Sequence, residues 1–555
     1  MGIQLLLVIS QLIILLKSAF RIKCFKISYH LNMIKKITYI FLLLLFIVSC
    51  NKEDDSNNSE PELGLPVIET FNATDLSLYS VTLAGRIIDH GNSNISEVGI
   101  VVSESSLPTV ENNLNKFIIE PDSSGGFSIV ITSIPSSTTF YVRAYGINDD
   151  GTGYGNEIEF TSLADNIYEG DIILSNQQQV NDFGSNNYTT INGSLEITGS
   201  VTSLEPLNSI IIVNQGFKII NTASLQNLEG LENLKITGNI FPHGFAIENN
   251  SALQSLTGLN GLEATRGEFT IIDNNLLTNL EGLNNLRASG AGTYFFIKGC
   301  NNLRSLTGLE NLSFIGGTLT LDSNNLLNDL TALRNLTFIG EALRITNNAS
   351  LSSLNGFDNL TTVEETIYIE NNSNLRSLSG FLSLNHSYGI SIKSNNALTS
   401  LSGFENFTSL GGIYVQYNDA IESLQGLNNV VSLDEFSVKY NQNLSSLAGL
   451  DNVTSTEAFN ISYNPSLQTL SGLENLNSIT GGTTTTISYN FGLTSLAGLD
   501  NLVETTTNFR IYSNTILTDF CPLKNLFENG LHNGTWEVTY NAINPSIQDI
   551  ITECQ

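Results

Sequence analysis

"NISYNPSLQTLSGLENLNSI", residues 460–479, has near-copies in "FSVKYNQNLSSLAGLDNV" at 436–453 and "GIYVQYNDAIESLQGLNNV" at 412–430. Taking Asn464 as the landmark, the same slot falls at Asn250, Asn274, Cys300, Asn324, Asn348, Asn372, Asn395, Asn418, Asn441, Asn464, Asn490 and Asn514, in steps of 23 to 26 residues. Such regular self-similarity marks a solenoid, in which each repeat buries its apolar face only against its neighbours.

Three residues before each landmark stands an aliphatic such as Ile247, Leu321, Val415 or Ile461, and five before stands Phe245, Leu319, Ile413, Phe459 or an equivalent. Positions two apart share one side of a strand, so each repeat is expected to supply one short strand with two inward side chains. The following "L-x-x-L-x-G-L-x-N-L" segment, for example Leu467, Leu470, Gly472, Leu473 and Leu476, is expected to fill the opposite wall, with the glycine at a tight bend. The asparagines suit a strand end whose backbone groups turn inward, because one amide carries both donor and acceptor. Cys300 fits that slot as a small buried residue.

The rung pattern resembles leucine-rich repeats. More specifically, "SFIGGTLTLDSNNLLNDLTAL" (313–333) and "ETIYIENNSNLRSLSGF" (365–381) resemble the receptor L domains of the insulin and epidermal growth factor receptor families. The resemblance spans about residues 167–520 and implies a right-handed parallel β-solenoid. It names no ligand, since fold does not carry function. Residues 521–555 read as a C-terminal cap, with a short helix after Pro545 and a disulfide expected between Cys521 and Cys554 of an exported chain.

Residues 66–163 keep a period of two in Val81 and Leu83, Val98, Ile100 and Val102, Phe127, Ile129 and Ile131, and Phe140, Val142 and Ala144. "NDDGTGYG" (148–155) supplies a hairpin turn with positive-φ residues, and the whole suits a β-sandwich. "IPSSTTFYVRAYGINDDGTGYGNEIEF" (134–160) resembles the last strands of fibronectin type III domains, particularly in bacterial surface lipoproteins. It departs from that family at Phe140, where a tyrosine usually stands. The expected fold class is therefore all-β, a sandwich followed by the solenoid.

The N-terminus reads differently. "MIKKITYIFLLLLFIVSC", Met33 to Cys50, has the basic start and apolar run of a secretory signal. Ile47, Val48, Ser49 and Cys50 resemble a bacterial lipobox, which implies lipidation at Cys50, a signal region over 1–49 and a translation start at Met33. Residues 50–65 read as an acidic disordered tether. Glu53, Asp54 and Asp55 resemble the export signal of lipoproteins carried to the outer face of the outer membrane. Loss of residues 1–49 leaves 17 of the 23 basic residues against all 53 acidic ones, which disfavours nucleic-acid partners.

No catalytic, metal or cofactor motif stands out. His90, His243, His386 and His532 occupy unrelated contexts and are expected to be exposed or hydrogen-bonded loop residues. The outward strand residues Glu248, Asp273, Asp322 and Glu370 alternate with Lys298, Arg344 and Lys393, as on a solvated sheet. The conspicuous surface residues are Tyr417, Tyr440, Tyr463 and Tyr489, each immediately before a landmark asparagine, with Tyr414 and Tyr512 nearby. Aligned rungs would place them in a column, either covering the sheet edge or forming a contact strip for an extended protein or glycan. The expected function is non-catalytic binding or adhesion at the cell surface, with a glycan-processing β-helix enzyme or a structural surface layer as alternatives.

Overall fold

The computed structural model describes residues 64–76, 80–132, 134–238, 244–290, 294–481 and 484–554. The signal region, Met33, Cys50, all of the acidic tether before Gly64, and His243 lie outside the described residues. The chain divides into two compact units: among the described residues, 64–75, 81–132 and 139–160 make up the first, and everything from 161 onward makes up the second, which also takes in residues 76, 80 and 134–138.

The first unit pairs two antiparallel sheets. Val67–Thr70, Ser80–Asp89 and Gly126–Thr132 form one; Asn115–Ile118, Glu97–Ser103, Thr139–Asn148, Gly151–Tyr154 and Ile158–Thr161 form the other. Val81, Leu83, Ile100, Val142 and Ala144 are buried between them, whereas Ile129 and Ile131 are only half-buried. Phe140 packs into the core on the Phe160 ring at 5.4 Å. The buried tyrosine is instead Tyr145, whose hydroxyl donates to Glu97 at 2.8 Å. At the hairpin, the Asn148 side-chain oxygen accepts from the backbone of Asp150 and Gly151, and within 148–155 only Gly151 takes a positive φ.

The second unit is a right-handed parallel β-solenoid of about 15 turns. Its larger sheet runs from Ile172–Asn176 to Trp536–Thr539, continuing past residue 520. Neighbouring rungs pair in register, as in Phe436 with Phe459 and Val438 with Ile461. The two inward positions are essentially sealed, as are Leu467, Leu470, Leu473 and Leu476 on the facing wall. Each such leucine removed from water contributes about 2 kcal/mol.

The expectation of one strand per repeat is corrected. A second, 9-stranded parallel sheet of mostly two-residue strands, from Ile167–Glu169 to Thr362–Val363, forms another wall of the turn. In Ser409–Gln416 and Ser432–Lys439 the two strands of a turn fuse across the corner. Two residues such as Thr362 and Val363 are too few to show an alternation in sequence.

The asparagine slots hold the rungs together. The Asn441 backbone N–H donates to Asn464 Oδ1 at 3.1 Å, and Asn464 Nδ2 donates to the Val438 carbonyl at 2.9 Å. The same arrangement recurs at Asn274, Asn324, Asn348, Asn372, Asn395, Asn418, Asn490 and Asn514. Thr222 opens the ladder by donating twice to Asn250, and Asn541, itself capped by Asn544, closes it after Asn514. Cys300 is fully buried, and burial pushes its thiol up to about 12, which leaves it protonated and unreactive.

The bend glycines meet two demands. Gly472 has φ +108°, and a Cβ there would lie 2.4 Å from the Leu447 carbonyl oxygen of the preceding rung. Its N–H donates to Glu474, as that of Gly449 donates to Asp451. A second, exposed asparagine ladder runs beside this bend: Asn475 Nδ2 donates to the Asp451 carbonyl and Asn452 Nδ2 to that of Asn428, both at 2.6 Å. The acid and asparagine of "GLENL" and "GLDNV" are therefore turn-fastening residues.

Candidate binding surface

Backbone geometry decides where the column tyrosines point. Strict alternation from the inward residues at five and three before the landmark would place the next residue inside and the asparagine outside. The residue before the landmark instead adopts the left-handed conformation, which reverses the alternation and turns the asparagine inward. Tyr417, Tyr440, Tyr463 and Tyr489 have φ of 57°, 57°, 59° and 55°. Other rungs fill this position with Asn249, Asp273, Ser323, Asn347, Asn371, Ser394 or Ser513 at the same φ, and with Gly299 beside Cys300.

Left-handed geometry costs an ordinary L-residue about 1 kcal/mol, and asparagine, aspartate and glycine tolerate it best. Tyrosine is thus a poor backbone choice made in four successive rungs. Its rings offset part of that cost by stacking. Tyr417 on Tyr440, Tyr440 on Tyr463 and Tyr463 on Tyr489 have centroids 4.5, 4.4 and 4.5 Å apart, with planes within 11°. Tyr512 closes the far end edge-on at 5.4 Å from Tyr489. Packing between its neighbours raises the Tyr463 phenol above its ordinary value, with Tyr440 and Tyr489 adding to the shift, so the hydroxyl stays protonated at neutral pH.

Tyr414 lies apart from this column, on the outward strand position four before Asn418. Its hydroxyl donates to Glu435. Burial, followed by Glu435, pushes this phenol up to about 12.

The strand-face carboxylates are mostly engaged. Asp322 lies 3.2 Å from Lys298 and accepts from Thr346 and Asn347 at 2.7 Å. Burial alone would raise its carboxyl, but the bonds from Asn347, Thr346 and Lys298 hold it below the usual range. Glu370 accepts from Ser391 and Glu248 from Thr270. Glu268 differs: burial, then the neighbouring Glu248, raises its carboxyl, with Lys218 opposing. Asp273 is one of the left-handed residues and sits at the turn.

His90 is exposed, and His386 is exposed with Nε2 3.6 Å from Glu364. His532 departs from the sequence expectation. Both its ring nitrogens are buried without a hydrogen-bond partner, its ring meets Phe527 edge-on, and burial lowers its pKa. Cys521 and Cys554 are disulfide-bonded, joining the last solenoid turns to the helix Ile547–Glu553. Among the described residues, no three His, Cys, Asp or Glu side chains gather as a metal site requires, and no helix is long and apolar enough to cross a membrane.

No family model matches the chain, and no curated protein matches it. Among the solved structures that match is the family 28 exopolygalacturonase of Yersinia enterocolitica, 9% identical over 87% of this chain and 100% of that one, with a TM-score of 0.15.

Proposed function

We propose that the chain is a lipid-anchored surface protein of the outer membrane, facing the cell exterior, whose solenoid binds an extended protein or glycan without catalysis. The single observation that supports this reading most is the tyrosine column. Four rungs place an aromatic at a backbone position that favours asparagine or glycine, although the core and the asparagine ladder of those rungs match the others. A residue costly to the scaffold and at least partly open to solvent, as Tyr417 is exposed and Tyr440, Tyr463 and Tyr489 are half-buried, is one chosen for what it touches. The fibronectin-like sandwich and tether serve as the stalk, and Cys50 as the site of lipid attachment.

The test is capture of cell-surface proteins and a glycan array, comparing the parent with a Tyr417→Ser, Tyr440→Ser, Tyr463→Ser and Tyr489→Ser variant. Loss of at least tenfold in apparent affinity for the column's ligand is expected, and unaltered binding would reject the assignment.

The glycan-processing reading is favoured by one observation, the raised carboxyl of Glu268 beside Glu248. Release of reducing sugar by the parent and its loss in Glu268→Gln would replace the binding reading with that one.

A further inference from the structure

The column offers a ligand mainly ring edges and hydroxyls, because its ring faces lie against one another. Available faces lie elsewhere on the solenoid. Tyr388 is 66% exposed, and a Cβ at Gly411, in the next rung, would come within 3.0 Å of its ring. A Cβ at Gly412 would likewise come within 3.0 Å of the Tyr414 ring. Both rings thus lie against backbone that glycine leaves low; Tyr388 turns most of its surface to solvent, whereas Tyr414 is half-buried beside it. The two phenols are close enough for Tyr388 to contribute to the raised pKa of Tyr414, as does Tyr368.

Tyr368 belongs to the same outward column as Tyr414, with Ser391 in register between them. Two rung steps separate their strand positions by about 10 Å, and serine leaves the intervening place without a ring. Arg344 covers Tyr368 from the other side, 3.9 Å from the ring centroid. Around these rings stand carboxylates and hydroxyls, including Glu370, which accepts from Ser391, and Glu435, which accepts from Tyr414.

A pyranose has matching chemistry. Its axial C–H groups form a weakly positive apolar face suited to the negative face of an aromatic ring, and its rim carries hydroxyls that both donate and accept. With 53 acidic residues against 23 basic ones in the chain, and Glu370 and Glu435 beside the rings, the surface suits an uncharged sugar rather than an anionic one. We propose that Tyr388 and Tyr414, with Tyr368 beside them, form a stacking platform for a neutral polysaccharide. This extends the recognition reading and rests on it, but uses a different patch from the tyrosine column.

The test is affinity electrophoresis of the full-length protein in native gels cast with barley β-glucan, xylan or galactomannan. At least one polymer should retard the parent. Tyr388→Ser and Tyr388→Ser/Tyr414→Ser should weaken that retardation at least tenfold, Tyr388→Trp should keep it, and the four-serine column variant should keep it. Circular dichroism of the single Tyr388 variant separates lost binding from lost folding, since that side chain is mostly exposed. Retardation by none of the polymers, or full retardation in the Tyr388→Ser/Tyr414→Ser variant, would overturn the platform. If either result accompanies ligand capture that still depends on the column, the platform falls and the recognition reading stands. Release of reducing sugar from the polymers would instead remove the recognition reading itself.

Discussion

The rungs at Asn324 to Asn395 and those at Asn418 to Asn490 share one scaffold but present different surfaces. Both groups bury the same inward positions, fasten the same asparagine ladder and turn through a left-handed residue before it. In the first group that residue is Ser323, Asn347, Asn371 or Ser394; in the second it is always tyrosine. The difference separates what the fold needs from what it carries. The asparagine answers buried backbone groups, whereas the tyrosine beside it answers no demand of the backbone.

The comparison predicts its largest effect at the landmark. Asn464→Leu strands the buried Asn441 N–H and Val438 carbonyl, and should cost about 2–4 kcal/mol in urea unfolding. Tyr463→Asn, one residue away, gives up two stacked contacts of about 0.5–1.5 kcal/mol each but relieves about 1 kcal/mol of left-handed backbone cost, so its net loss should be smaller, under about 2 kcal/mol. Equal costs at the two positions would erase the distinction between scaffold and surface.

A smaller effect is expected at the last turn, where the tyrosine column gives way to the disulfide-tied cap. The unfolded state takes up a proton on His532 more readily than the folded state, whose pKa is depressed by burial. The stability this group contributes is therefore complete above the ordinary histidine value, about 6.5, and is lost as pH falls through the lower folded value. Thermal midpoints measured across that range should fall more steeply with acid for the parent than for His532→Leu. Parallel curves would show that the imidazole finds water or a partner on protonation.

Much of the scaffold is legible in sequence because repetition multiplies weak signals. The spacing of Asn250 to Asn514 identifies the ladder, and residues such as Ile461 and Phe459 identify the inward face. Thr222 and Asn541 escape the register because the first is not an asparagine and the second lies among atypical terminal residues. Glu474 and Asn475 were visible in every "GLENL", but leucine periodicity accounts for the motif without assigning the polar positions a task. The left-handed turn was also within reach, since Asn249, Asp273, Asn347 and Asn371 occupy the slot in which the tyrosines appear. The grouping of Tyr368, Tyr388 and Tyr414 was not legible, because it depends on strand register and on rings reclining over Gly411 and Gly412.

The claim that the tyrosine column is carried by the fold rather than required by it is tested most directly by urea unfolding of a Tyr417→Asn, Tyr440→Asn, Tyr463→Asn and Tyr489→Asn variant. Removing three stacked pairs loses about 0.5–1.5 kcal/mol each, while asparagine, which tolerates the left-handed position as Asn347 and Asn371 do, returns about 1 kcal/mol at each of the four tyrosines. The two nearly cancel, so the midpoint should stay close to that of the parent. A loss as large as that caused by Asn464→Leu would contradict the account and make the column part of the scaffold.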